Sequence, residues 1–147
     1  MNLYTKQKKA QQARINDFLH KYAFFAFDED QFKEDLESLG PTKEDTGQLV
    51  RIQGGGYVLK EKVPELKQML QDFAEERQAA INDPDTGQQF AIDMFRTELN
   101  DHEYSYTGDP TEAFEALGYT MQEIRADASL LAAFNTAVRQ IFLSDPD

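Results

Sequence analysis

Apolar positions recur at three- and four-residue steps over most of the chain, the signature of helices with one buried face. The clearest run follows Pro64: Leu66, Met69, Leu70, Phe73, Ala80 and Ile81 line up, with charged residues between them. Pro64 suits a first helical turn, where its missing N–H costs nothing. Asp83-Pro84-Asp85-Thr86-Gly87 then breaks the pattern, and a second amphipathic helix runs through Phe90, Ala91, Met94, Phe95 and Leu99. Because the connection is short, the two helices are expected to form an antiparallel hairpin. Residues 128–143 predict a last long helix, with Leu130, Leu131, Phe134, Val138 and Ile141 on one face. Residues 3–20 predict a further helix with only a weak stripe, carried by Leu3, Ala10, Ala13, Ile15, Phe18 and Leu19.

Shorter elements are marked by their ends. Asp28 and Gln31 have capping-box spacing before Phe32, Leu36 and Leu39, and Gly40-Pro41 stops that helix. Thr120 and Glu123 form a second capping box, and Asp109 opens a helix through Phe114 and Leu117 that ends at Gly118. Two β-prone runs, 49–52 and 57–59, flank a Gln-Gly-Gly-Gly reversal and predict a hairpin, while the aromatic-rich run 22–27 reads as a buried strand. The fold expected is mainly α with one small β-hairpin, with an α+β arrangement as the alternative. It is a single compact helical domain over 1–147, of about five to seven helices, with residues 1–10 and 143–147 frayed.

Composition changes this picture in two ways. The chain of 147 residues has no Cys, which removes disulfides and thiolate metal sites and fits a reducing, cytoplasmic setting. No run approaches the length of apolar residues a membrane span requires, and the polar residues after Lys9 lack the apolar region of a signal peptide. Net charge is −12, but residues 1–22 hold five basic side chains against Asp17 alone, so residues 23–147 carry −16. That field repels phosphate backbones and disfavours nucleic acid, leaving a solubilising surface or a protein partner with a basic surface.

The stretch richest in chemistry is residues 100–109, with Glu98 one helical turn before His102. Glu98, Asp101, His102, Glu103, Tyr104, Tyr106 and Asp109 form the candidate interaction or pocket region. Imidazole and carboxylates are competent metal ligands, and histidine is the side chain that most often serves acid–base work. Against an enzyme or metal-binding reading, no second His motif, nucleophile or oxyanion hole accompanies them, so no catalytic residue, metal or cofactor is assigned. Asp83 to Met94 fails as a calcium loop, since Gly falls at the fifth position and Met94 stands where a bidentate Glu belongs. Residues 111–127 have the cadence of a helix-turn-helix regulator, but Glu123 and Asp127 on the second helix would face phosphates.

Four stretches together resemble a known family: Phe25-Ala26-Phe27 leading to Gln31-Phe32, Gly54-Gly55-Gly56-Tyr57, Met94-Phe95 to Glu98-Leu99-Asn100, and His102-Glu103-Tyr104 with Tyr106-Thr107-Gly108-Asp109. The family comprises small, uncharacterised proteins of Gram-positive bacteria, their phages and other mobile elements. The resemblance runs from about Gln11 to about Ala137, and departs at Val63-Pro64, where a more polar helix start is usual. It implies a shared fold and a mobile-element setting, and brings no activity or cofactor. The function expected is therefore a non-catalytic accessory protein that binds a protein partner through its acidic surface.

Overall fold

The computed structural model describes residues 2–24, 49–51 and 56–143. The elements are α1 (Leu3–Tyr22), β1 (Ala23–Phe24), β2 (Leu49–Arg51), β3 (Tyr57–Leu59), a 3-10 turn (Lys60–Lys62), α2 (Val63–Ile81), α3 (Gly87–Asp101), α4 (Tyr104–Thr107), α5 (Thr111–Leu117), α6 (Met121–Ala126) and α7 (Ala128–Leu143). The protein is mainly helical, as the periodicity predicts. The Asp28–Gly40 helix and the glycine reversal at 53–55 lie outside the described residues.

Contacts group the chain into two compact units, Ala10–Glu75 and a second made of Met1–Lys9 with Glu76–Asp147. In the first, β2 and β3 pair antiparallel with Val50 opposite Val58, as a hairpin should, and β1 adds to the other edge of β3 with Ala23 opposite Val58. The strand expected over 22–27 is thus shorter at its start, because Tyr22 still closes α1. Phe18, Ala23 and Val58 are buried together, with Leu19, Tyr22, Val63, Leu66 and Met69 packed around them. Two cations cover ring faces here: Lys62 sits 4.6 Å from the centre of Tyr22, and Arg14 4.8 Å from Phe73.

The larger core belongs to the second unit. Met94, Phe95, Leu99, Leu117, Ile124, Ala133 and Ala137 are fully enclosed, and Phe95, Phe114 and Phe134 meet pairwise at 5.1–6.3 Å between ring centres. Each such buried aromatic or leucine contributes roughly 1.5–3 kcal/mol through area removed from water. The expected partnership of α3 with α2 is corrected within the second unit: α3 packs chiefly along α7, not along the end of α2 at Glu76–Ile81. A short connection fixes only where two helices meet, and they meet tightly, since a Cβ on Gly87 would stand 2.1 Å from the Ile81 carbonyl oxygen. From that corner, burial of Phe95 against Phe134 sets the course of α3.

Local signals act where they were read. Thr120 accepts from the Glu123 amide at 3.1 Å while Glu123 accepts from the Thr120 amide at 3.0 Å, the reciprocal capping box. Gly118 ends α5 with φ 78°, in the left-handed region that glycine enters freely. Residues 3–10, expected to fray, are instead the first half of α1, and Tyr4 is buried.

Candidate functional site

The polar centre of the second unit is Glu98, on the core-facing side of α3 and only 4 % exposed. A carboxylate so placed needs donors, because an unpaired buried charge is strongly unfavourable. Tyr4 and Lys8 supply them, and His102 stands nearby. The Tyr4 hydroxyl donates to Oε1 at 2.6 Å, and the Lys8 ammonium reaches the same oxygen at 2.8 Å. His102 Nε2 stands 3.5 Å from Oε2, and the far side of that ring, Nδ1, lies 3.7 Å from Glu112 Oε2. Tyr4 and Lys8 are one turn apart on α1, as Glu98 and His102 are across the end of α3, so two four-residue pairs interlock.

Burial works to raise the Glu98 pKa, but the hydrogen bonds from Lys8 and Tyr4, with the positive charge of Lys8 and the His102 ring, outweigh it; the carboxyl lies below its ordinary range. Tyr4 moves the opposite way. Burial pushes its phenol up, and donation to Glu98 adds to the shift.

A second buried carboxylate, Asp93, stands more than a turn earlier on α3 and is 6 % exposed. Its Oδ2 accepts the Leu3 amide at 2.8 Å and its Oδ1 the Gln89 side-chain amide at 2.8 Å. Asp93 therefore caps the start of α1 from another helix, placing negative charge at the positive end of that helix's dipole. Asn2 completes the cap by accepting the Thr5 amide at 2.9 Å and donates to Thr97 at 3.0 Å.

Of the expected site residues, the structure joins Glu98 and His102 and leaves the others apart. Among the described residues, Asp101 and Glu103 are exposed and form no side-chain hydrogen bond or ion pair with that pair. Glu103 adopts φ 58°, the single non-glycine residue in the left-handed region among those described. Tyr104 is half-buried with its ring 5.7 Å from that of Phe142, whereas Tyr106 is 89 % exposed. Asp109 serves α5, accepting from the Thr111 amide at 3.0 Å and hydroxyl at 2.6 Å; that hydroxyl first, and the amide with it, holds its carboxyl below the usual range. Sequence reasoning missed Tyr4, Lys8 and Asp93. The four-residue spacing of Tyr4 and Lys8 was visible, but nothing local ties them to a carboxylate ninety residues away.

A histidine between two carboxylates has the make-up of a base. Here both ring nitrogens are turned to carboxylates, and the clefts described in this unit are lined by other residues. One cleft, of about 360 Å³, includes Asp83 and Asp127, but each already accepts two backbone amides as a turn or cap: Asp85 and Thr86 for the first, Ser129 and Leu130 for the second. Among the described residues, no group of three or more His, Cys, Asp or Glu side chains is placed to hold a metal ion. Nor is any described helix long and apolar enough to cross a membrane. Of the helix-turn-helix cadence, α6 is six residues long and buries Ile124, and Glu123 is spent on its own cap.

The chain belongs to a family of unknown function (DUF7659), whose model matches residues 3–140. No curated protein and no solved structure matches it.

Proposed function

We propose that this member of a family without an assigned function is a non-catalytic accessory protein, of the kind phages and mobile elements carry, that binds a protein partner with a basic surface. The contact region is residues 100–109 with the neighbouring Glu112. The observation that carries this reading is the division of labour around the end of α3. Glu98 is spent on Tyr4, Lys8 and His102, whereas Asp101, Glu103 and Tyr106 face solvent. Across residues 97–127 eight acidic side chains stand against Arg125 alone. Carboxylates around an exposed tyrosine suit a surface that steers a basic partner in and then anchors it through one ring.

A double charge reversal, Asp101→Lys with Glu103→Lys, and separately Tyr106→Ala, test it. Affinity capture from bacterial lysate at low and moderate salt is expected to enrich a basic protein in a salt-sensitive manner. The double reversal should abolish that enrichment and Tyr106→Ala should weaken it. Enrichment indifferent to salt and to both changes, or no enrichment at all, means the acidic face is not a binding surface.

A further inference from the structure

His102 closes the end of α3 with its ring between two carboxylates, one on each side. Nε2 is 3.5 Å from Glu98 Oε2 and Nδ1 is 3.7 Å from Glu112 Oε2, and neither approach is as short as a finished hydrogen bond. A neutral imidazole carries one N–H and one lone pair, so it can donate to only one of them. The other carboxylate then faces a lone pair. A ring protonated at both nitrogens donates to both. The two acceptors differ in need. Glu98 is buried, its Oε1 takes Tyr4 and Lys8, and among the described residues only His102 stands within donor reach of Oε2. The Glu112 side chain, in the first turn of α5, is 77 % exposed, so water can serve it. The neutral ring therefore keeps its proton on Nε2, toward the carboxylate that water cannot serve.

The segment between the two carboxylates has few holds of its own. α4 is four residues long and buries none of them, and left-handed residues flank it, Glu103 at φ 58° and Gly108 at φ 68°. The charged and titratable groups around the ring come from each element that meets there. Glu98 and Glu112 touch it, and Asp101 and Glu103 are its exposed chain neighbours; all four attract a positive ring. Lys8, from α1, repels one but is engaged by Glu98 Oε1. The Tyr4 phenol, pushed up by burial and by Glu98, stays neutral, and Arg77 donates to the Leu117 carbonyl at 2.8 Å. Tyr104 turns its ring to Phe142 of α7. We propose that the junction of α3 with α5 is a proton-operated clasp. His102, on taking a proton from solvent at Nδ1, binds Glu112 while keeping Glu98, and so fastens the segment 103–110 across its two ends. The clasp rests on the ring contacts, not on any partner of residues 100–109, and its test uses the chain alone.

The test follows the full chain by NMR from about pH 8 to about pH 5.5, a range in which histidine titrates and carboxylates ordinarily do not. The ring nitrogen signals of His102 are expected to show the Nε2–H tautomer at the upper end and both nitrogens protonated at the lower. The Glu112 carboxyl carbon should shift with the same midpoint. The amides of Tyr106, Thr107 and Gly108 are bonded within the turn, to the Glu103 and Tyr104 carbonyls. Their protection from hydrogen exchange, corrected for the intrinsic rate, should rise by roughly two- to fivefold on acidification, the scale of one partly exposed ion pair. Glu112→Ala, at an exposed position, should erase that rise while His102 still titrates, and His102→Asn should erase it as well. An Nδ1–H tautomer at the upper end, a Glu112 carboxyl that ignores the titration of His102, protection that does not rise, or a rise that survives Glu112→Ala would each overturn the clasp.

Discussion

Arg96 and Glu98 stand two residues apart, and so about 200° apart around α3. Their surroundings are opposite in kind. Glu98 is enclosed, and each of its oxygens meets a partner from α1 or from His102. Arg96 is half-buried on a face where, with Arg139, it lines an open groove. A polar group whose bonds are all internal contributes to the fold and has nothing left to offer a ligand. One whose bonds are unmade has a small stake in the fold and an unmet demand that a ligand can supply. On this helix the residue with the more suggestive chemistry, a carboxylate beside a histidine, is the structural one.

The largest effect that bears on this contrast is on Glu98. Replacing it with Ala strands the buried Tyr4 hydroxyl and releases Lys8, and is expected to cost about 2–3 kcal/mol by urea unfolding. Arg96→Gln and Arg139→Gln should stay within about 0.5 kcal/mol of the parent in the same measurement. Equal losses on both faces would erase the distinction.

Tyr4→Phe removes one donor and keeps the ring that packs edge-on against Phe90 at 5.9 Å, so about 1 kcal/mol should be lost. If Tyr4 and Glu98 act as one unit, the Tyr4→Phe and Glu98→Ala losses fall short of additive in the double variant.

Acid supplies the next test. A carboxyl held below its ordinary value contributes stability that is complete above the unfolded value, about 4.5, and fades as pH falls through the folded one. Urea midpoints of the parent and of Glu98→Gln should therefore be well separated at neutral pH and draw together as the pH falls below that unfolded value. Parallel curves down to the acid limit would show that Glu98 owes nothing to its charge.

The smallest effect concerns Glu103. Its left-handed backbone strains an L-residue, so Glu103→Gly is expected to raise stability by about 0.5 kcal/mol or leave it level. A clear loss would mean that its side chain holds the junction together.

What could be read from the sequence follows from the range of the forces. Helix periodicity, the Thr120–Glu123 box, the Asp109–Thr111 turn before α5 and the hairpin pairing of 49–51 with 57–59 all arise from residues within a few positions of each other, so their signals lie side by side in the chain. The weak stripe of α1 was legible only in part, since its firmest attachments are polar and distant: Tyr4 and Lys8 to Glu98, and the Leu3 amide to Asp93. The Glu98–His102 pair could be anticipated from spacing, but its role could not, because that depends on which remote donors arrive.

By itself, then, the sequence determined where the helices start and stop, which faces they bury, and that the chain past its first 22 residues is strongly acidic. Tertiary structure alone decided that α3 would lie against α7, that Glu98 and Asp93 would anchor the start of α1, and that Arg96 would share a groove with Arg139. Capping and amphipathic patterns are settled within a turn or two of backbone. The partner of a buried charge is settled by chain closure over some ninety residues, and nothing in the spacing of neighbours encodes it.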